Sequence, residues 1–249
     1  MAERGWALVT GAGRRIGQAL ALAAAQAGYD IVVGNHHAGP EVAAETVGLI
    51  AALGRRAETL AIELTDPTAC AGVFQAAPGP VTLLVNSASV FQDDRIGAVA
   101  AEVWDQAQAT NLRAPVLLAQ AFAAALPEGA TGQIVNVVDQ RVLKPTPEFF
   151  SYAVSKAGLW AATQMLAQAL APAIRVNAIA PGPTLRSIHQ RPEDFAAEAA
   201  AVPLGHGPTP QEIGQALAYL IDAPSVTGQM IAVDGGQHLA WRTPEIIDP

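Results

Sequence analysis

Short apolar segments of strand length alternate along this chain with longer alanine-rich segments of helical length, and this alternation restricts the fold more than any other feature. The first pair is an apolar segment at residues 6–10 and a helical stretch at residues 15–28. Further strands are predicted at residues 30–34, 57–62, 81–86, 132–138, 174–180 and 230–233. Further helices are predicted at residues 42–53, 102–126 with a kink at Pro115, 150–170, 193–201 and from Thr209 onward.

Such alternation predicts a single-domain α/β Rossmann fold with a doubly wound, seven-stranded parallel sheet and helices on both faces. Right-handed crossovers would place the carboxyl ends of the strands at one edge of the sheet, where ligands bind. No repeat or linker interrupts the pattern, so we predict one domain over residues 1–249. The proline- and glycine-rich residues 181–210 are predicted to form a loop or lid on the substrate side.

Composition and charge exclude several classes of function. The formal net charge is -8, so nucleic acid and anionic membranes are not expected partners. Cys70 is the only cysteine, which fits a reducing compartment. We see no signal peptide and no apolar run of membrane-spanning length, and we expect a cytoplasmic protein. The five histidines lack the spacing of metal ligands, so no metal is predicted.

A glycine-rich turn, Thr10-Gly-Ala-Gly-Arg-Arg-Ile-Gly17, follows the first strand and opens the first helix. This context is typical of a dinucleotide-binding loop. We expect Gly11 to make the tight turn, Gly13 to let the backbone approach a pyrophosphate, and Gly17 to let the helix pack closely on the strand. The free N–H groups at the helix N-terminus would bind the phosphates.

The coenzyme is predicted to be NADPH rather than NADH. NAD sites often have an acidic residue at the end of the second strand, but this chain has Gly34-Asn-His36-His37 there. Arg14 and Arg15 in the glycine-rich turn are placed to pair with a 2′-phosphate. We also assign His36 and His37 to the coenzyme site. The alternative, in which both arginines face solvent, stays open.

Tyr152 and Lys156 are four residues apart in a predicted helix and therefore share a face. A phenol ordinarily loses its proton near pH ~10, and a neighbouring ammonium group and an oxidised nicotinamide favour the charged form. The pair therefore predicts proton transfer by Tyr152, with Lys156 lowering the pKa of the phenol. Taken alone, the same spacing is also compatible with an ordinary surface contact.

Several motifs together resemble the short-chain dehydrogenase/reductase family. Besides the glycine-rich turn and the Tyr152/Lys156 pair, they are Asn86-Ser-Ala88, Asn111, Asn177-Ala-Ile-Ala-Pro-Gly182 and Val233-Asp-Gly-Gly236. They follow the family's order and cover almost the whole chain. One departure is Arg15, which stands where the family has the middle glycine of its loop.

The resemblance implies further roles. Lys156 would hold the nicotinamide ribose, and Asn111 would support a water that connects Lys156 to solvent. The family pattern also places in the coenzyme site Ile16, Glu63, Leu64, Asn86, Ser87, Ala88, Pro181, Gly182 and Thr184. It implies a homotetramer, which agrees with helices near residues 114–126 and 157–170 that are apolar around much of their circumference.

Asp139 replaces the serine that most family members have thirteen residues before the tyrosine. A carboxylate would repel the negative charge that develops on a carbonyl oxygen, but it can accept hydrogen bonds from a nitrogen heterocycle. The Asp-Tyr-Lys set resembles the pteridine reductases of the family, as do Arg15-Ile-Gly17 and Ala88-Ser89-Val90-Phe91. In that subgroup the aromatic ring stacks on the pterin. Alternatively, Asp139 caps a helix or pairs with Arg141, and Phe91 is a core or lid residue.

The sequence thus predicts an NADPH-dependent reductase that takes a dihydropterin to the tetrahydro level. Its catalytic residues would be Asp139, Tyr152, Lys156 and Asn111, and Ser89, Phe91, Asp139 and Tyr152 would contact the small-molecule substrate. A carbonyl reductase or alcohol dehydrogenase of the same family is the main alternative. A protein that retains the fold only to sense a nucleotide or to act as a scaffold is a third possibility, which the intact Tyr152/Lys156 pair disfavours.

Overall fold

The computed structural model describes residues 4–36, 40–188 and 190–241, and its strands form one seven-stranded sheet. The strands are β1 (Trp6–Thr10), β2 (Asp30–Asn35), β3 (Ala57–Ala61), β4 (Val81–Asn86), β5 (Gly132–Val137), β6 (Ile174–Pro181) and β7 (Met230–Val233). Their order is β3-β2-β1-β4-β5-β6-β7, and each neighbouring pair is parallel. The predicted α/β Rossmann fold with a doubly wound parallel sheet is confirmed.

Helices cover both faces of the sheet. They are α1 (Arg15–Gln26), α2 (Pro40–Ala52), α3 (Pro67–Gly72), α4 (Ala101–Gln108), α5 (Ala114–Ala125), α6 (Phe150–Leu170), α7 (Pro192–Ala200) and α8 (Pro210–Asp222). Buried side chains of α1, α2 and α8 form one apolar core with the sheet. Those of α3, α5 and α6 form a second core on the other face.

The central strand β1 shows why a strand of this protein appears in the sequence as an uninterrupted run of apolar residues. Val9 packs into the core beside α1, whereas its neighbour Leu8 packs into the core beside α5. Both side chains are buried, because a parallel sheet covered on both faces leaves no polar side for alternate residues. Alternation of polar and apolar residues is therefore absent from β1, and strand length is the signal that identifies it.

The long helix predicted at residues 102–126 with a kink at Pro115 is confirmed as one uninterrupted helical run over residues 101–125, with an irregular turn just before the proline. Helix α4 ends at Gln108, a π-helical turn spans Ala109–Arg113, and α5 begins at Ala114. Pro115 follows this turn by two residues, and because proline has no N–H to donate to the preceding helical turn, it accounts for an irregularity at this place. Single-turn π-helices are frequent at functional sites, and this one contains Asn111.

The strand order reverses its direction of winding between β1 and β4, and ligands bind at such points in open α/β sheets. There the Thr10 hydroxyl accepts hydrogen bonds from the main-chain N–H groups of Ser87 and Ala88, at 3.0 and 3.1 Å. These bonds fix the spacing of the two strand ends beside the glycine-rich turn. In the described part of the chain, no helix has the length and apolar character needed to cross a membrane.

Candidate active site

A cleft of about 1000 Å³ lies at the carboxyl ends of the strands, within the upper range for small-molecule sites. Its walls come from the glycine-rich turn, the loop after β4, the loop after β5, the start of α6 and the loop after β6. Most predicted site residues line it: Gly11, Gly13, Arg14, Arg15, Ile16, Gly17, His36, Leu64, Ser87, Ala88, Ser89, Phe91, Asp139, Tyr152, Pro181, Gly182 and Thr184. Glu63, Asn86, Asn111 and Lys156 lie outside this lining, and His37 lies outside the described residues.

The glycine-rich turn is closely packed. Gly11 has a φ of +68°, in the left-handed region that favours glycine. A Cβ atom on Gly17 would lie 2.0 Å from the main-chain oxygen of Gly11, so no side chain fits there. Arg14, the N-cap of α1, makes no side-chain capping hydrogen bond, so its side chain leaves the first N–H groups of the helix available to an anion.

Arg15 connects the two sides of the cleft. Its φ of +56° is unusual for a residue other than glycine and matches the position where the family has glycine. The guanidinium donates hydrogen bonds to the carbonyl oxygens of Leu185 and Arg186, at 3.2 and 3.1 Å. Burial and the nearby Arg14 lower the pKa of Arg15. Neither sequence-based alternative, the 2′-phosphate contact or full exposure to solvent, anticipated this contact with the loop after β6.

His36 and Glu63 lie within ion-pair distance of each other, at the side of the cleft next to the end of β2. The Nε2 atom of His36 lies 2.6 Å from an Oε atom of Glu63. Hydrogen bonds from the side chain and main chain of Thr65, together with the contact to His36, lower the pKa of Glu63 to about 2. Glu63 is therefore a carboxylate that holds His36 directly after the end of β2, in the part of the cleft that is predicted to bind the coenzyme.

Asp139 and Tyr152 meet in the cleft as the sequence predicts. The Tyr152 hydroxyl donates a hydrogen bond to Oδ2 of Asp139 at 2.7 Å. The other carboxylate oxygen accepts from the main-chain N–H of Arg141 at 2.8 Å, and the Arg141 guanidinium lies 3.4 Å from Oδ2. Asp139 therefore caps a short 3₁₀ turn and contacts the phenol at the same time, so the helix-cap interpretation and the catalytic interpretation are compatible.

The acidity of Tyr152 differs from the prediction. Burial, followed by the charge of Asp139 and its hydrogen bond, raises the pKa of Tyr152 well above its usual value. Lys156 does not counteract this rise, because its Nζ atom is 5.7 Å from the centre of the Tyr152 ring and donates to the carbonyl oxygen of Val137 at 2.7 Å. The prediction that Lys156 lowers the pKa of Tyr152 is therefore wrong as far as the protein groups are concerned. The part of the prediction that depends on an oxidised nicotinamide stays a prediction. Burial in turn lowers the pKa of Lys156 to about 8.

An aromatic cluster borders Tyr152 and Asp139. The Phe91 ring meets Tyr152 edge to face, with 4.7 Å between ring centroids, and stacks on Phe149 at 4.2 Å. The Arg141 guanidinium lies over both phenylalanine rings. Sequence reasoning missed Phe149, whose φ of +53° places it in the left-handed region. Nothing in the sequence marks a phenylalanine for that conformation.

Asn111 uses its side-chain amide for protein contacts. Its oxygen accepts from the main-chain N–H of Val90 at 2.9 Å and from the Ser89 hydroxyl at 3.2 Å. Its nitrogen donates to the Val90 carbonyl oxygen and to the Ser155 hydroxyl. These four bonds fill the hydrogen-bonding capacity of the side-chain amide, and the support of a water by Asn111 stays a prediction that would involve another group of this residue. Asn111 fastens the loop after β4 to α6.

Comparison with known proteins agrees with this geometry. A family model described as enoyl-(acyl carrier protein) reductase, which represents short-chain dehydrogenases/reductases, matches residues 11–238. The chain belongs to the short-chain dehydrogenase/reductase family. This short-chain dehydrogenase/reductase is 31% identical to the 3-oxoacyl-(acyl-carrier-protein) reductase FabG of Thermotoga maritima, over 92% of this chain and 96% of the relative. It is 30% identical to a short-chain type dehydrogenase/reductase of Picea abies, over 93% of this chain and 91% of the relative.

A solved structure resembles this short-chain dehydrogenase/reductase more strongly. It is that of FolM alternative dihydrofolate reductase 1 from Brucella suis in complex with NADP. The two chains are 45% identical, with a TM-score of 0.94 and coverage of 99% of this chain and 100% of that chain. The predicted resemblance to reductases of the pteridine type within the family is therefore confirmed.

Proposed function

We propose that this enzyme is an NADPH-dependent reductase that converts a dihydropterin into a tetrahydropterin. The observation that supports this most directly is the 2.7 Å hydrogen bond from Tyr152 to Asp139, the residue that replaces the family's serine. The similarity to a protein named as an alternative dihydrofolate reductase, solved with NADP, points in the same direction.

The residues of the cleft fit a phosphorylated dinucleotide. The uncapped N-terminus of α1 would bind the pyrophosphate, with Arg14 and His36 near the adenosine ribose. Lys156 would hold the nicotinamide ribose, and Thr184 would contact the nicotinamide. When bound, NADPH supplies a hydride to a carbon of the substrate's C=N bond. The remaining requirement is a proton for the nitrogen of that bond.

Tyr152 is suited to donate this proton. Its hydroxyl is protonated at neutral pH, since an ordinary phenol loses its proton only near pH ~10 and burial raises the pKa of Tyr152 further. The proton that reduction consumes is therefore present on Tyr152. Asp139 accepts the hydroxyl hydrogen and would also accept hydrogen bonds from N–H groups of the substrate. A nitrogen of a C=N bond that gains a proton becomes positively charged until the hydride neutralises it, and a carboxylate stabilises that charge, whereas it would oppose the negative charge of an alkoxide.

Phe91 favours a flat substrate. Its ring lies next to the proton donor and lines the cleft, where it offers an aromatic surface to a heteroaromatic ring. Arg141, which lies over Phe91, supplies a fixed positive charge beside the same surface. We propose that Ser89 and Phe91 contact the substrate together with Asp139 and Tyr152.

Reduction of a simple carbonyl is the second candidate, and the 31% identity to a 3-oxoacyl-(acyl-carrier-protein) reductase favours it. The two functions are distinguished by steady-state assays of NADPH oxidation. We expect turnover of dihydrobiopterin, dihydromonapterin or dihydrofolate, and little turnover of acetoacetyl thioesters or simple ketones. Oxidation of NADPH by ketones alone would replace the proposal with carbonyl reduction, and oxidation by none of the pterins would reject it.

A further inference from the structure

The first turn of α6, which contains Tyr152, lacks a cap of its own. The N-cap residue is Phe149, which has no side-chain acceptor and makes no capping hydrogen bond. The first hydrogen bond within the helix runs from the N–H of Ala153 to the oxygen of Phe149. The N–H groups of Phe150, Ser151 and Tyr152 precede this bond, and those of Phe150 and Ser151 have partners outside the helix.

Asp94, in the loop between β4 and α4, supplies both partners. Its main-chain oxygen accepts from the N–H of Phe150 at 3.2 Å. Its carboxylate accepts from the N–H of Ser151 at 3.0 and 3.3 Å, and also receives a short hydrogen bond from the Ser151 hydroxyl. Asp94 is only 7% exposed, so these bonds are shielded from competing water. A carboxylate at this end of a helix is also favoured by the helix dipole.

Two further contacts join the same loop to the same helix start. The Phe91 ring stacks on Phe149, and Arg95 forms an ion pair with Glu148 at 3.1 Å. The ion pair is largely exposed and contributes little. Asp94 is therefore the group that joins the loop containing Phe91 to the first turn of α6, one turn ahead of the connection that Asn111 makes to Ser155.

We propose that Asp94 is a positioning residue for Tyr152, because it caps α6 from a separate loop and sets the direction in which the phenol leaves the helix. Tyr152 directly follows Ser151, so a shift of the first turn moves its hydroxyl away from Asp139. This inference rests on the proposed function for the role of Tyr152 as proton donor. Displacement of a catalytic group by about 1 Å can cost about a hundredfold in rate.

Three variants test the proposal. Asp94→Ala removes the cap, whereas Asp94→Asn retains an oxygen that accepts from Ser151 N–H, since asparagine is a good capping residue. Thr209→Ala is the matched control: it removes the cap of α8, which lies in a capping box with Glu212 and outside the cleft lining. Both cap losses should lower thermal stability, so stability alone does not distinguish them.

We expect kcat for dihydropterin reduction to fall between about tenfold and a hundredfold in Asp94→Ala, with KM for NADPH within about twofold of the wild type. Asp94→Asn should recover most of kcat, and Thr209→Ala should retain it. Equal kcat in Asp94→Ala and the wild type, or an equal fall in Thr209→Ala, would overturn the proposal. If Asp94→Ala does not fold, Ser151→Ala removes the hydroxyl contact alone and should show a smaller fall in kcat.

A second readout does not depend on the substrate. The ionisation of Tyr152 can be followed by the ultraviolet absorbance of phenolate, after subtraction of the Tyr152→Phe titration. In Asp94→Ala, greater access of water should move the pKa of Tyr152 down toward its ordinary value, and in Asp94→Asn it should not. An unchanged titration in Asp94→Ala would refute positioning by Asp94. Failure of the wild-type protein to reduce any pterin would instead refute the proposed function and leave this readout decisive.

Discussion

The two carboxylate oxygens of Asp139 bind different partners. One residue can therefore cap a short 3₁₀ turn and also contact the phenol of Tyr152. One oxygen accepts from the main-chain N–H of Arg141, which fixes the carboxylate at the start of a 3₁₀ turn. The other accepts from the Tyr152 hydroxyl. Because the first bond holds the side chain in place, the second has a defined direction toward the Tyr152 hydroxyl, the proposed proton donor.

Substitution of Asp139 should change the preferred substrate. In Asp139→Ser, we expect kcat/KM for a dihydropterin to fall at least about a hundredfold, because a hydroxyl replaces the acceptor for substrate N–H groups. Activity on simple ketones should be retained or increased. Steady-state kinetics with both substrate classes measure this change. A parallel loss on both classes would contradict the assigned role of Asp139.

Removal of the Tyr152 hydroxyl should remove proton transfer while leaving the coenzyme site intact. We expect Tyr152→Phe to lower kcat by a factor between about 10² and 10⁴, the usual range for a general acid. The dissociation constant for NADPH, measured by fluorescence titration, should stay within about twofold. Full activity in this variant would show that another group donates the proton.

The activity should also depend on the ionisation of Lys156. Burial lowers the pKa of this ammonium group to about 8, so its charge is complete below that pH and is lost as the pH rises through it. If the charge holds the nicotinamide ribose, kcat/KM should fall above pH 8, by about tenfold for each pH unit. In Lys156→Arg, the guanidinium stays charged, so this decrease should disappear even if the overall rate is lower. A wild-type rate that is constant across this range would contradict the role of Lys156.

At the residue scale, the sequence predicted those groups whose role follows from residue type and spacing. The separation of Tyr152 and Lys156 and the unusual Asp139 are visible in the chain itself. The contacts of Arg15 and Asp94 are not, because each bond joins segments that only the folded sheet brings together. The rise that the protein groups cause in the pKa of Tyr152 could not be predicted for the same reason: it depends on burial, which spacing does not report.

At the scale of elements, two helices contain glycines with opposite surroundings. Gly17 in α1 faces the main chain of the glycine-rich turn, whereas a Cβ atom on Gly48 in α2 would meet nothing within 4 Å. Gly17 allows α1 to approach β1 and so shapes the end of the cleft where we propose that the coenzyme phosphates bind. Gly48 has no such role, although both residues lie in helices.

The two glycines therefore make a matched pair of substitutions. Gly17→Ala should destabilise the protein by about 1–3 kcal/mol through overpacking and weaken NADPH binding, because the turn must open to admit the methyl group. Gly48→Ala should be neutral or stabilise the protein by up to about 1 kcal/mol, since alanine favours a helix. Denaturant unfolding and coenzyme titration measure both effects. Similar behaviour of the two variants would refute the close-packing role of Gly17.

The elements also mark the limits of prediction from sequence. Strands β1, β4 and β7 have the predicted bounds, because their apolar runs end at glycine, proline or polar residues. Pro115 predicts an irregularity in this helix, but the form that it takes, a π-helical turn at Ala109–Arg113, does not follow from the residue types. Helix α3 was missed because its six residues are too few to show a helical period.

At the scale of the whole molecule, α6 is buried against the sheet on one side and remains apolar on another. Met165 is 67% exposed, and Val154 on the same helix is 37% exposed. A helix with apolar residues on more than one side is usually covered on more than one side. This arrangement supports the prediction, made from sequence, that copies of the chain assemble through this helix.

We therefore predict a homotetramer in solution that a charge on this face disrupts. Met165→Glu should shift the sedimentation coefficient toward that of a smaller species, because a carboxylate would be buried without a partner. Leu53→Glu, at an exposed apolar residue beyond the end of α2, serves as the control and should leave assembly unchanged. A wild-type protein that sediments as a monomer at micromolar concentration would contradict the prediction.

The amide bonds of Asn111 have a consequence for exchange with heavy water. Main-chain hydrogens in loops usually exchange quickly, since solvent reaches them without any unfolding. The N–H of Val90 belongs to a loop, yet it donates to the Asn111 side chain at 2.9 Å beside a residue that is fully buried. Deuterium should therefore enter Val90 about as slowly as it enters the neighbouring strand β4, and Asn111→Ala should make this one loop position exchange rapidly.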